Sequence, residues 1–225
     1  MKTLFLTGGG GAIGSAIKDL FLERGWKVIA PTSRELDLSD LDAVRTYMQP
    51  YLDGFDALIF SAGRNNPAEL GKLTVEEIKK TIDINCVSVA LICSLCRAAF
   101  EKRRNGRILG ISSLYGNISR EGRAAYAMSK HALNGLISTL ALELGPSGIL
   151  CNTLSPGFVK TKMTLKNNTA ETLSALERKI PLGRFASVQD IARIAYFLCS
   201  EENTYISGQD IIVDGGFMAG GFQHL

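Results

Sequence analysis

An open α/β sheet of parallel strands, covered by helices on both faces, is the fold that this 225-residue chain predicts. Three observations predict it. Short apolar runs alternate with segments of helical periodicity along the whole chain. Successive runs are separated by helices, and most leave no room for a hairpin, so the strands must pair in parallel. The first run also feeds directly into a glycine-rich turn and then a helix, the opening of a doubly wound sheet.

The elements follow in order. Residues 3–6 read as a buried strand, and residues 13–24 as a helix ended by Gly25. Residues 28–31 form a second strand. A helix over residues 39–48 begins with Ser39 and Asp42 at capping-box spacing. Ala57–Phe60 is a third strand. Thr74 and Glu77 form another capping box and open a helix that runs, with a break, to Lys102. Residues 107–111 make a fourth strand, residues 126–143 lie on a helix, and residues 150–154 make a fifth strand. A helix over residues 187–199 has Ser187 and Asp190 at capping spacing, and Asp210–Val213 is the last strand. No linker interrupts the series, so residues 1–225 read as one domain. The least regular stretch, residues 165–179, reads as a mobile lid in preference to a plain surface excursion.

Composition narrows the class. Hydrophobic residues make up 46% of the chain, enough for a sizeable core. Polar residues interrupt the apolar stretches before the roughly 20 residues a bilayer span needs, so no membrane segment is expected. The apolar run at the N-terminus is too short for a signal peptide, and the expected location is the cytosol. Five cysteines, an odd number, fit reduced thiols. Cys93 and Cys96 are spaced C-x-x-C but lie in a long helical pattern, where small buried apolar residues are the better reading. The net charge is +3 with scattered Lys and Arg, which leaves no nucleic-acid footprint. No His, Cys, Asp and Glu cluster has metal-ligand spacing, so no metal is expected.

Two constellations carry chemistry. The turn Thr7-Gly8-Gly9-Gly10-Gly11-Ala12-Ile13-Gly14 lies between first strand and first helix. Glycines there let the backbone approach a pyrophosphate, which meets the N–H groups at the helix N-terminus. Tyr126 and Lys130 are four residues apart and so share a helix face. A cation beside a phenol lowers its pKa from the usual ~10. Ser113, thirteen residues before Tyr126, brings a hydroxyl from another segment that can hold a substrate oxygen. His131 is turned away from Tyr126 and reads as structural.

These motifs, in this order, resemble the short-chain dehydrogenase/reductases. Thr7, Gly8 and Gly14 match the family's Thr-Gly-x-x-x-Gly-x-Gly, with Ala12 in place of the middle glycine. Asp37-Leu38 resembles the pair that contacts adenine. Phe60-Ser61-Ala62-Gly63 is similar to the Asn-Asn-Ala-Gly strand end, with both asparagines replaced and Ala62 and Gly63 left to permit close approach of the adenosine ribose. Asn85 corresponds to the active-site asparagine and Ser113 to the catalytic serine. Pro156-Gly157-Phe158-Val159-Lys160-Thr161 is similar to the segment whose valine and threonine contact the nicotinamide amide. Pro181-Leu182-Gly183-Arg184-Phe185 and Asp214-Gly215-Gly216 resemble the family's C-terminal markers.

The resemblance implies a Rossmann-type fold, a nicotinamide cofactor, and hydride transfer to or from a carbonyl or alcohol carbon of a small molecule. Tyr126 is then the general acid/base, Ser113 positions the oxygen, and Lys130 lowers the Tyr126 pKa and binds the nicotinamide ribose. Asn85 holds a water that refills the proton. The residues after the second strand are trimmed to Thr32-Ser33-Arg34-Glu35-Leu36. Ser33 and Arg34 suit a 2′-phosphate, so NADP(H) is expected over NAD(H), with Glu35 the group that would reverse the choice if it turned inward. Two other readings remain open: an enzyme acting on a nucleotide-linked sugar, suggested by the trimmed region, and a non-catalytic cofactor-binding regulator. The pocket is expected from residues 114–123 and 163–179. Arg120 and Arg123 there either meet an anion or are solvated charges. A homo-oligomer, a tetramer before a dimer, is implied by the resemblance and by the apolar Ile211-Ile212-Val213 and residues 132–144.

Overall fold

A computed structural model describes residues 1–161 and 169–220. Six strands form a single parallel sheet: β1 (Thr3–Thr7), β2 (Lys27–Ile29), β3 (Ala57–Phe60), β4 (Gly106–Ile111), β5 (Ile149–Pro156) and β6 (Asp210–Val213). Their order across the sheet is β2-β1-β3-β4-β5-β6, and every pairing is parallel. The helices are α1 (Ala12–Glu23), α2 (Leu41–Met48), α3 (Val75–Ile82), α4 (Ser88–Arg103), α5 (Ala124–Leu144), α6 (Ala170–Glu177) and α7 (Val188–Cys199).

The period of two in the strands divides the core into two layers. Phe5, Leu58, Phe60 and Ile108 face one side and pack with Val44 and Met48 of α2, Ile92 and Phe100 of α4, and Leu133 and Ile137 of α5. Leu4, Leu6, Ala57, Ile59 and Leu109 face the other and pack with Ile17 and Phe21 of α1 and Ile191, Ala192 and Ala195 of α7. Phe5, Phe21, Phe55 and Phe100 are fully buried, each worth roughly 1.5–3 kcal/mol of transfer free energy. Between β1 and β3 the winding reverses, which opens a crevice at their carboxyl ends, the ligand position in doubly wound sheets.

Several local expectations need correction. Asp40, not Ser39, caps α2: its carboxylate accepts from the N–H groups of Asp42 and Ala43 at 3.1 and 3.0 Å. Ser39 is occupied one step earlier, where its N–H and hydroxyl both donate to Asp37. At α3, Thr74 accepts from the Glu77 N–H, but the Glu77 carboxylate is diverted to Arg64 and Asn66. The full capping box at Ser187 and Asp190 is present. The break after α3 is a π-turn at Asp83–Val87, continuous with α4. The whole stretch Val75–Arg103 is long and apolar enough to cross a bilayer by length and composition. No such stretch was expected. Here Val89, Ile92, Cys93, Cys96 and Phe100 of that stretch are buried in the first core layer. Residues 169–179, read as irregular, contain α6; the remainder of that expected lid, 165–168, lies outside the described residues.

The α2 cap gives a direct test. Asp40→Ala should lower unfolding stability by about 1 kcal/mol, the usual value of an N-cap, while Ser39→Ala should cost less. Urea midpoints of the two variants, compared with wild type, check the order.

Candidate active site

The glycine-rich turn is shaped by steric contact. Gly8 has φ +73, and a Cβ on it would meet the Ala62 backbone nitrogen at 2.5 Å. A Cβ on Gly14 would overlap the Gly8 carbonyl oxygen. The Gly11 N–H donates to that same oxygen at 2.9 Å. Gly11 is the N-cap of α1, with no side-chain cap and no acidic residue in the first turn. The positive end of α1, at Ile13 and its neighbours, is therefore open to an anion. Gly10 meets nothing within 4 Å, so it is not required sterically. The Thr7 hydroxyl accepts from Ala62 N–H at 3.3 Å and ties the ends of β1 and β3 together.

A cavity of about 510 Å³ lies over this crevice. Thr7, Gly8, Gly11, Ser33, Asp37, Leu38, Ala62 and Gly63, all candidates from sequence, line it. Arg64, Asn65, Asn66 and Ile84 also line it and carried no sequence signal. Arg34 is exposed beside Ser33 and does not line the cavity. Glu35 folds back to accept from the Thr32 N–H at 2.7 Å, so it does not turn inward. Asp37 is held by both donors of Ser39, which keep its carboxyl below the usual range.

Gly63, in the cavity wall, lies next to Lys130 of the Tyr126 helix. The space beside Gly63 lies 3.7 Å from Lys130 Nζ and 3.8 Å from Asn85 Oδ1. Asn85 is buried in the π-turn. Its Oδ1 accepts from the Arg64 N–H at 2.7 Å, and its Nδ2 donates to the Arg64 carbonyl at 3.0 Å and to Ser129 Oγ at 2.8 Å. Ser129 in turn donates to the Tyr126 carbonyl at 2.7 Å. The Ser113 side chain lies beside Tyr126, where it opposes the effect of burial on the phenol, and Tyr115 packs edge-on against the Tyr126 ring. Ser113, Tyr126, Lys130 and Asn85 thus lie close together.

The electrostatics differ from expectation. Lys130 is buried, with Nζ donating to the Ile111 carbonyl at 2.7 Å and lying 5.6 Å from the Tyr126 ring centroid. Burial pulls its pKa down from 10.5 to about 8. Tyr126 is not lowered by Lys130: burial raises it, and the Ser113 hydrogen bond only partly opposes that. Desolvation of the neutral-to-charged step outweighs an ammonium that is itself turned toward a carbonyl.

The nicotinamide-side candidates follow β5. A Cβ on Gly157 would meet Asp214 Cα at 2.7 Å, so the chain crosses closely there. Asp214 accepts from the N–H groups of Gly216 and Met218, which fixes the crossing. Pro156 ends β5, and Val159 bridges to Ala186. Pro156, Gly157, Val159 and Thr161 are not in the wall of the 510 Å³ cavity. His131 bonds its own helix, through Nδ1 to the Ala127 carbonyl. Cys93 and Cys96 are buried free thiols, Cys96 pushed up to about 12, which suits packing rather than redox chemistry.

Sequence reasoning also missed Asp210. Its carboxylate accepts from Ser155, Thr153, Asn134 and Asn117, the last at 2.5 Å. It thereby fastens the turn after Ser113 to β5 and α5. An acidic residue at the start of an apolar strand was the only available signal.

A family profile described as enoyl-(acyl carrier protein) reductase matches residues 30–218. A 3-oxoacyl-[acyl-carrier-protein] reductase FabG of Rickettsia conorii is 32% identical, over 96% of this chain and 97% of its own. The chain belongs to the short-chain dehydrogenase/reductase family. The FabG of Thermotoga maritima is 31% identical over 96% of this chain and 98% of its own. Among solved structures, 4-hydroxyisoleucine dehydrogenase complexed with NADH superposes with TM-score 0.91 at 29% identity, covering 98% and 100% of the two chains. A putative NAD(P)-dependent gluconate 5-dehydrogenase from Beutenbergia cavernae, with bound NADP, gives 0.88 at 27%, covering 97% of each. As a family member this short-chain dehydrogenase/reductase is an oxidoreductase that moves hydride between a nicotinamide cofactor and a carbonyl or alcohol carbon.

The Lys130 shift has a measurable consequence. Between about 8 and 10.5 the unfolded lysine holds a proton that the folded one has released. Its destabilising effect is thus complete below about 8 and is relieved as pH rises through that window. Wild-type stability, measured relative to Lys130→Met by urea unfolding, should rise across the window by on the order of 3 kcal/mol. A flat difference would mean that water reaches Nζ.

Proposed function

We propose that this protein is a cytosolic, NADPH-dependent reductase of a small carbonyl compound, with Tyr126 as general acid. The observation that carries the proposal is Ser113 facing Tyr126 closely enough to oppose the effect of burial on the phenol, with a buried Lys130 one helical turn on and next to Gly63 of the cavity wall. A bound nicotinamide supplies the hydride. Ser113 then holds the substrate oxygen as it gains negative charge. Tyr126 gives that oxygen its proton. Lys130 stabilises the phenolate left behind and also holds the nicotinamide ribose. The space beside Gly63, in reach of both Lys130 Nζ and the second lone pair of Asn85 Oδ1, suits a water that returns the proton.

For the cofactor, the residues fit the group. Thr7, Gly8, Gly10, Gly11, Ile13 and Gly14 cradle the pyrophosphate, Asp37 and Leu38 flank the adenine, and Ala62 and Gly63 pass the ribose. Pro156, Gly157, Val159 and Thr161 face the nicotinamide amide. NADP(H) is favoured over NAD(H), because Glu35 is spent on the Thr32 N–H and leaves Ser33 and Arg34 at the 2′ position. Arg34 needs only to swing inward from an exposed turn. The assembly proposed is a homotetramer. Its apolar surface includes Met128 and Leu142 on α5 and Ile212 on β6, all exposed in the single chain.

Two measurements test this reading. Tyr126→Phe removes the proton and keeps the ring, so NADPH should still bind while turnover falls roughly two to four orders of magnitude. Near-normal turnover would remove Tyr126 from the mechanism. Arg34→Ala should weaken NADPH by ~1.5–3 kcal/mol, the worth of a hydrogen bond to a charged group, and leave NADH almost unchanged. Fluorescence titration of both cofactors against both proteins decides it; equal weakening of the two would overturn the NADP(H) preference.

A further inference from the structure

The arginines near the cavity differ in what neutralises them. Arg64 donates to both oxygens of Glu77 and so carries a charge already matched. Arg123 has no carboxylate within 4 Å among the described residues. Its Nη1 instead donates to Asn65 Oδ1 at 2.8 Å, and Asn65 lines the cavity. A neutral amide orients the guanidinium without cancelling it. The remaining N–H groups keep their capacity to grip a planar anion with two parallel bonds.

Its position is also fixed by the backbone. Arg123 is the N-cap of α5, three residues before Tyr126 and one turn from it. The preceding Gly122 carbonyl accepts from the Ala68 N–H at 3.1 Å, and the Arg123 N–H donates to the Arg120 carbonyl at 3.2 Å. These bonds pin the start of α5 against the segment that follows β3. Arg123 therefore spans the gap between the tyrosine helix and the cavity wall. α5 has no acidic residue in its first turn, and Glu121, two residues before Arg123, forms no ion pair with it. The Arg123 charge reaches the Tyr126 hydroxyl, where it opposes the effect of burial.

We infer that Arg123 is a substrate-recognition residue for a carboxylate, so that the substrate is a short oxo acid carrying its free acid group near the reacting carbonyl, not a thioester or neutral ketone. The inference rests on the carbonyl-reductase reading of the same site. A thioester offers no charge to an unneutralised guanidinium at that position. A carboxylate satisfies it and is held within one helical turn of the proton donor.

The test measures binding and turnover separately. The protein saturated with NADP⁺ is titrated by calorimetry with pyruvate, acetoacetate and levulinate, and with the methyl ester of each, so that the spacing between acid and carbonyl varies. At least one acid should bind about 10–100-fold more tightly than its ester, the ratio expected of a hydrogen bond to a charged group. Arg123→Gln, which keeps a bond to Asn65 but loses the charge, should abolish that ratio and leave ester binding and the urea midpoint unchanged. Arg123→Lys should retain part of it, as charge without the fork. Equal binding of acid and ester by the wild type, or an acid preference that survives in Arg123→Gln, overturns the inference. NADPH consumption with the same compounds separates the two readings. Acids bound through Arg123 but never reduced would sink the reductase reading alone, and equal reduction of acids and esters would sink the Arg123 assignment alone.

Discussion

One carboxamide holds the site together. Asn85 sits in the π-turn between α3 and α4, with only 1% of its surface exposed. It spends both amide hydrogens and one lone pair on Arg64 and Ser129. Those two partners belong to the strand end that lines the cavity and to the helix that carries Tyr126 and Lys130. The i→i+5 insertion is what lets the polar residue face inward from a helix whose neighbours are apolar. Removing the amide would strand buried partners at about 1–3 kcal/mol each. It would also release the strand end from the tyrosine helix. The relative position of cofactor groove and proton donor depends on that single side chain more than on either element's own stability.

A second anchor works from the far edge of the sheet. Asp210 collects hydroxyl and amide donors from β5, from α5 and from Asn117 after Ser113. Asn85 holds the tyrosine helix to the cofactor side, and Asp210 holds the same helix to the serine side. The Ser113–Tyr126 pair lies between the two fastenings. Together the two anchors set the geometry that proton transfer needs.

Features whose cause is local were legible in the sequence. The Gly8 and Gly14 positions follow from a backbone too close for a Cβ, and the turn announces itself between strand and helix. The i,i+4 spacing of Tyr126 and Lys130 fixes a shared face whatever surrounds it. Features that depend on which of several available partners a side chain takes were not legible. Ser39 and Asp42 have capping spacing, yet Asp37 draws Ser39 away and Asp40 takes the cap. Glu77 has capping spacing too, but Arg64, thirteen residues earlier, forms a bidentate pair with it. The effect of Lys130 on Tyr126 was misjudged for the same reason. Spacing shows that two groups are neighbours; it does not show that Nζ is buried and turned to the Ile111 carbonyl.

That burial changes how the pair works on the proposed mechanism. With its pKa near 8, Lys130 is mostly charged at neutral pH but poorly solvated, and its Nζ donates to the neutral Ile111 carbonyl. Tyr126, raised by burial, keeps its proton in the resting site. The ammonium therefore finds an opposite charge only when the phenol gives up its proton to the substrate oxygen. Attraction between unlike charges in such surroundings is far stronger than in water. It appears as the proton moves and is absent before, which is the condition for an interaction to speed a reaction instead of merely tightening the ground state. A tyrosine already ionised by its lysine would have no proton to give. The raised phenol is thus protonated in the resting site, ready to act as the acid of the proposed reduction.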